Sequence, residues 1–416
     1  MSPEQTQNLM TKRRVTLFLT CLINICAGIN YAWSIFAQPL AERLSQMTGE
    51  VVTSGSLAFA FSLACIFSPL SMIVSGSFAD RYGPRYILMI AGLFIALGFI
   101  GSALCTSAIG IIICYGFFVG CGLGTAFNTG MGNVLKFFPD RIGVAGGLAS
   151  TCFGASSVIV PFIAVMLLAY FDIAQTFIIL GSSFGLIIII SAYFTTRCPA
   201  DFQPVGKKSL LTSTTPDRKT SEMVKSKIFY VMFGLAFCGT LPGMMMISQA
   251  ARIAQYQAGL SATVAAFCVS FLAVSNMSGR LIGGYLSDRF GRIQALMVAL
   301  VAAIFGSVSV NFCTPDASSL IYLALFGVGF SFGSMNSIFP GFTTAEFGRR
   351  FNTLNYAIMM IALSTPGIIA PMITNYLYDM SNSFGSSFMV ATITALIGFG
   401  FAATYIFMKR KENLRN

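Results

Sequence analysis

Of 416 residues, 56% are apolar and only 9% charged, with a mean hydropathy of +0.78, where an ordinary soluble domain carries about a quarter charged residues. That balance excludes a soluble enzyme or binding domain and points to a chain whose solvent is largely lipid. The net charge of +11 would suit nucleic acid, but the placement of the charges excludes that too.

Runs of about 20 apolar residues are expected to cross a bilayer as helices. Twelve are predicted, at roughly 15–38, 52–76, 86–105, 108–133, 143–168, 173–196, 227–250, 262–284, 293–312, 318–341, 353–377 and 385–408. They are continuously apolar, whereas barrel strands are short and alternate, so a β-barrel is excluded. With both termini on one side, 22 of the 25 basic residues fall on that side, leaving Arg43 and Arg252 opposite and Arg280 inside a span. This is the positive-inside pattern, with both termini cytoplasmic. The basicity is topological.

The first run is too long for a signal peptide and lacks a small-residue cleavage site, so it is expected to stay as a span. It carries Asn30, Tyr31 and Trp33, the only tryptophan. Trp33 is predicted to anchor at the outer interface, with Asn30 and Tyr31 deeper and able to line a cavity. Eleven cysteines stand singly, mostly within apolar runs, without CxxC, and the chain has no histidine. Metal and redox chemistry are therefore not expected, and the cysteines read as small packing residues.

The second span ends in Gly76-Ser-Phe-Ala-Asp80-Arg81-Tyr-Gly83-Pro84-Arg85. A similar turn, Gly284-Tyr-Leu-Ser-Asp288-Arg289-Phe-Gly291-Arg292, follows the eighth, with its Gly and Asp both 208 residues later. Phe138-Pro139 and Phe339-Pro340 echo each other at a similar offset. The chain reads as a parallel tandem repeat. One six-helix bundle is predicted over 1–196 and another over 227–416, joined by a polar linker at 197–226.

That doubled turn in a twelve-span chain resembles the major facilitator superfamily over the whole sequence. The resemblance implies an all-α membrane protein of two six-helix bundles in a prokaryotic inner membrane. In that family the turns lock the halves on the cytoplasmic side. The gating residues it implies are Gly76, Asp80, Arg81, Arg85, Gly284, Asp288, Arg289 and Arg292. Finer similarity is to the oxalate:formate antiporter and monocarboxylate porter branch. It rests on Gly28-x-x-Tyr31-x-Trp33 with Phe36-x-x-Pro39, on Lys136-Phe-Phe-Pro-Asp140-Arg141, and on Asn355-Tyr356.

Arg280 is the one basic residue well inside a span, where insertion costs about 2.5–3.5 kcal/mol and such residues face protein or water. All fourteen acids fall at or beyond span ends, so no intramembrane carboxylate is available to it, and no buried acid is expected. A guanidinium in a cavity suits a carboxylate through two parallel hydrogen bonds; the alternative is a structural arginine bonded to backbone carbonyls or snorkelling.

The branch carries a carboxylate-binding arginine at this place. Its oxalate exchangers have a second cation, a lysine, where this chain has Leu363. One cation fits a monoanion, so formate, lactate or pyruvate is expected in preference to oxalate. The resemblance also implies Tyr31, Phe127, Phe153 and Phe332 as lining. The three phenylalanines stand where the oxalate exchangers have Tyr, Tyr and Trp, and each reads equally as simple packing. Asn128, Asn276, Asn336 and Asn355 are candidate polar liners. Proton-linked porters carry an aspartate at Asn276, so exchange of anions is expected.

The leading reading is a secondary transporter of small carboxylates, without cofactor or metal, working as a monomer in lipid. Alternatives are an oxalate:formate-type antiporter, an exporter of neutral or cationic compounds, and an anion-sensing receptor. An enzyme is disfavoured, since no nucleophile–base pair or phosphate loop appears.

Overall fold

The computed structural model describes residues 3–199, 202 and 217–413. Most of the predicted linker (200–201 and 203–216) lies outside them. The chain begins with α1 (Pro3–Ala27), a tight turn at Gly28–Ala32, and α2 (Trp33–Thr48). It continues with α3 (Ser54–Tyr82), α4 (Pro84–Leu104) and α5 (Ala108–Ile113), which runs through a widened turn at Cys114–Val119 into α6 (Gly120–Phe137). Then come α7 (Ile142–Leu168) and α8 (Ile173–Phe194), with a short α9 (Thr220–Met223) before the second set. That set is α10 (Lys227–Arg252), α11 (Ala262–Phe290), α12 (Arg292–Asn311), α13 (Leu320–Phe347), α14 (Asn352–Ser364), α15 (Pro366–Ser381) and α16 (Gly385–Asn413).

Among the described residues eleven helices are long and apolar enough to cross a membrane, and twelve if α1 and α2, bent by 50°, form one span. The helices begin where short polar side chains cap them: Thr53 accepts from Ser56 N, Ser226 from Phe229 N and Ser261 from Val264 N, while Asp172 and Gln175 form a reciprocal box. Pro366, which has no N–H, marks the break between α14 and α15.

The two repeated turns are built alike. Gly83 and Gly291 adopt φ of 92° and 102°, a region that a Cβ makes costly, so each turn needs glycine at this point. Each joins a long helix directly to the next one.

The chain divides into two compact units. The first comprises Met1–Asp140, Cys152–Asp217 and Gly348–Ala357; the second comprises Arg141–Thr151, Arg218–Phe347 and Ile358–Asn416. In the first unit Phe36, Phe99, Tyr115 and Phe177 form a nest of edge-to-face and tilted rings. Trp33 joins it: it is only 7% exposed and its ring lies 4.5 Å from that of Tyr115. Trp33 is therefore a core residue and not the interfacial anchor that its position along the span suggests. The turn at Gly28–Ala32 and the bend after it redirect the chain just before this residue. In the second unit Phe384 and Phe388 pack with Met245, Met246 and Leu325.

Candidate functional site

Arg280 lies in α11 eight residues before Asp288, about 12 Å along the helix. Its side chain is buried, with the residue 3% exposed. Nε donates to Asn276 Oδ1 at 3.1 Å, one turn earlier, and Nη1 donates to the carbonyl oxygen of Ser150 at 2.7 Å. Both acceptors are neutral. They fix the orientation of the guanidinium plane, as a preorganised binding group requires. The Ser150 bond is also the kind of backbone contact that a purely structural arginine makes.

The surrounding backbone is close-packed through glycine. A Cβ on Gly333 of α13 would come within 2.0 Å of Asn276 O and 2.9 Å of Arg280 N, and one on Gly147 within 2.7 Å of Arg280 O. Ser334 Oγ adds a bond to Gly279 O at 3.1 Å. The stretch carrying Arg280 is thereby clamped between α13 and the start of α7, all within the second unit.

The remaining candidates divide between the units. In the second, Phe332 packs against α10 at Gly243, where a Cβ would meet its ring at 2.6 Å. Asn336 Nδ2 donates to Phe332 O of its own helix at 2.9 Å. In the first, the Phe127 and Phe153 rings meet edge-to-face at 4.9 Å. Asn355 there is fully buried. Asn128 is a clamp: its Nδ2 donates to Met72 O at 3.0 Å and Thr353 O at 3.2 Å. The side chain of Tyr31 lies outside the described residues.

The repeated turns show what their aspartates do. Asp80 Oδ1 accepts from Lys136 Nζ at 2.6 Å and from Thr353 Oγ1 at 2.7 Å, while Oδ2 accepts from Leu354 N at 3.1 Å, all in the first unit. Asp288 Oδ1 accepts from Gly143 N at 2.7 Å and Oδ2 from Val144 N at 2.8 Å, all in the second. Each carboxylate thus sits on the first turn of a helix, α14 or α7, where free N–H groups and the helix dipole favour negative charge. Gly76 and Gly284 let those helix starts come close: a Cβ would reach Leu354 Cα at 3.0 Å in one case and Gly143 O at 2.2 Å in the other. The motif arginines do less. Arg81 and Arg289 lie exposed over their neighbours Tyr82 and Phe290, and Arg85 stacks on Tyr193. Arg292 is partly buried.

One expectation is corrected. Buried acids do exist: Asp140 and Glu346 are 9% and 7% exposed. Asp140 takes both Nη1 and Nη2 of Arg13, at 2.9 and 3.1 Å, with Phe138 stacked on the guanidinium. Glu346 pairs with Lys409 at 2.5 Å and accepts from Tyr405 OH at 2.8 Å. Both lie at helix ends, where cations from distant segments fold over them; position along the chain could not reveal that. The Arg13–Asp140 pair was missed because Arg13 reads as one of many topological charges.

The Major Facilitator Superfamily profile matches residues 16–371. This chain belongs to that superfamily. The Major Facilitator Superfamily is a family of transporters, and the chain is an integral membrane transporter, not an enzyme. It is 26% identical over 364 residues to an uncharacterized MFS-type transporter, YhjX, of Escherichia coli (strain K12), covering 87% of each chain. It is 25% identical over 404 residues to the oxalate:formate antiporter of Oxalobacter formigenes, covering 94% of this chain and 90% of that one. Monocarboxylate transporter 13 of Rattus norvegicus is 22% identical over 80% of this chain and 75% of its own. These relatives match the oxalate:formate and monocarboxylate branch of the superfamily. Among solved structures, the fucose:proton symporter FucP of E. coli superposes with a TM-score of 0.71 at 15% identity, covering 95% of this chain and 99% of its own.

Proposed function

We propose that this superfamily member exchanges small monocarboxylates across the membrane, with Arg280 binding the substrate carboxylate. The observation that carries the proposal is a buried arginine within a spanning helix whose guanidinium is aligned by two neutral acceptors, Asn276 and Ser150. A guanidinium held in that orientation matches a carboxylate through two parallel N–H···O bonds. Relatives named as an oxalate:formate antiporter and as monocarboxylate transporters support the substrate class.

The preference for a monoanion follows from counting cations. Leu363, at the position of the oxalate exchangers' lysine, is an apolar residue buried in the second unit. Phe332, in the same unit as Arg280, keeps aromatic surface without an indole N–H, which suits a substrate with an alkyl group. Asn276 cannot carry a proton, so anion-for-anion exchange is the coupling this chain supports. Asp80 and Asp288, released from the starts of α14 and α7, would let those helices move during the cycle. Both termini lie in the cytoplasm, following the basic residues.

The test is counterflow in liposomes with labelled formate, lactate, pyruvate and oxalate, with and without internal anion. Monocarboxylate exchange that needs an internal anion is expected, with Arg280→Lys losing at least tenfold in affinity because it keeps charge but not the fork. Exchange of oxalate alone would overturn the cation count. The bond to Ser150 favours a second reading, in which Arg280 staples α11 to the start of α7. In that case Arg280→Lys and Arg280→Gln would lower thermal stability while leaving the affinity of the surviving protein unchanged.

A further inference from the structure

Arg252 ends α10 at the pole away from the linker, which is the outer face in the proposed orientation. It is one of only two basic residues on the connectors of that face. Its surroundings combine two amide oxygens with two aromatic rings. Nη1 donates to Gln249 Oε1 at 3.0 Å and to Asn375 Oδ1 at 3.2 Å, and Gln249 Nε2 donates to the same Asn375 oxygen at 2.8 Å. The guanidinium carbon lies 4.9 Å from the centre of the Tyr378 ring and 5.6 Å from that of Phe384. Gln249 is buried, whereas Arg252 and Asn375 are exposed. All five residues belong to the second unit.

Arg13, Lys136 and Lys409 each meet a carboxylate. Among the described residues Arg252 makes no ion pair; Asp379, exposed in the same helix as Asn375 and Tyr378, does not bond it. Its acceptors are two amide oxygens, and both lie on one nitrogen. Nε and Nη2 have no acceptor among the described residues and stand on an exposed side chain. A flexible surface arginine loses rotamer entropy when it binds an anion. Here two amides and two rings have already fixed the plane, so that loss is small, and the ring faces favour the cation.

We infer that Arg252 is a second anion-binding site, an entry station that takes a small carboxylate through Nε and Nη2 before it reaches Arg280. The inference rests on the carboxylate-exchange reading above. On an outer surface with few cations, one preoriented guanidinium raises the local concentration of anions and the rate of productive encounter, and added salt weakens that effect. Gln249 and Asn375 act as positioning residues; Arg252 alone meets the ligand.

The experiment is formate counterflow in vesicles of defined orientation, varying formate on one side at a time, for wild type, Arg252→Gln and Arg252→Lys. In Arg252→Gln the outer KM for formate is expected to rise roughly two- to fivefold, the scale of one exposed charge-assisted contact. Its dependence on ionic strength is expected to flatten, while the inner KM stays put. Arg252→Lys should keep the salt dependence and lose part of the affinity. An outer KM and salt slope equal to wild type would overturn the inference and leave the exchange reading standing, as would equal changes on both faces, which indicate a structural role. Wild-type vesicles that move no carboxylate would overturn the exchange reading itself, and this inference with it.

Discussion

Asp288 Oδ1 accepts the backbone amide of Gly143 at 2.7 Å, so a carboxylate at the end of α11 serves as the cap of α7. Asp80 does the same for α14 through Leu354 N, and also holds Lys136. A sequence repeat thus recurs as a repeated interaction, each turn capping a helix that begins far from it in the chain.

Asp288→Asn keeps an acceptor but loses the charge on the helix terminus. The expected loss is about 0.5–2 kcal/mol, with altered exchange rates and an intact fold. Asp80→Asn should also lower stability, because Lys136 then keeps its charge without its partner. Thermal melts of the two purified variants check it; melts equal to wild type would show that neither carboxylate stabilises the helix start it caps.

Arg13 and Asp140 bury both sides of a two-bond ion pair, with side chains 10% and 4% exposed. Arg13→Ala leaves a buried carboxylate alone and is expected to destabilise by about 3 kcal/mol or more. The double variant Arg13→Met with Asp140→Leu should recover much of that, since apolar replacements of whole buried pairs are often neutral. Denaturant titration of the single and double variants decides it, and additive losses would contradict the pairing.

Gly333→Ala would place a Cβ 2.0 Å from Asn276 O, against backbone that carries Arg280. It is expected to destabilise by about 1–3 kcal/mol and to weaken carboxylate binding. Gly400→Ala, where no heavy atom lies within 4 Å, should be neutral or stabilising by up to about 1 kcal/mol. Similar effects at both positions would mean that α11 and α13 are not in close contact at Gly333.

Cys198, just past α8, is buried, and burial pushes its thiol up to about 11 from an ordinary value near 9, against the opposing charges of Arg349 and Lys136. Little thiolate exists at pH 8, so maleimide labelling of Cys198 in the folded protein should be negligible there. The neutral thiol favours the folded state below pH 9, and that contribution is lost as pH climbs through 11. Peptide mass spectrometry after labelling at pH 8 checks it; prompt modification without unfolding would contradict the burial.

The twelve runs, the repeat and Arg280 were all legible because each depends on residue type along one segment. Lipid demands about 20 apolar residues per crossing, a tight turn demands glycine at positive φ, and a charge inside a span is conspicuous against them. Trp33 was misjudged for the same reason: counting along a span assumes a straight helix, and the chain turns and bends at Gly28–Ala32.

Composition and order along the chain therefore determined the membrane class, the eleven or twelve long apolar helices and the place of Arg280 inside one of them. Only the tertiary structure decided which charges are paired. The choice of Asp140 for Arg13, of the α7 and α14 starts for Asp288 and Asp80, and of Asn375 for Arg252 joins residues from separate segments of the chain. Hydrogen bonds and ion pairs act over about 3 Å of space, and no periodicity along the sequence records which distant segments come that close.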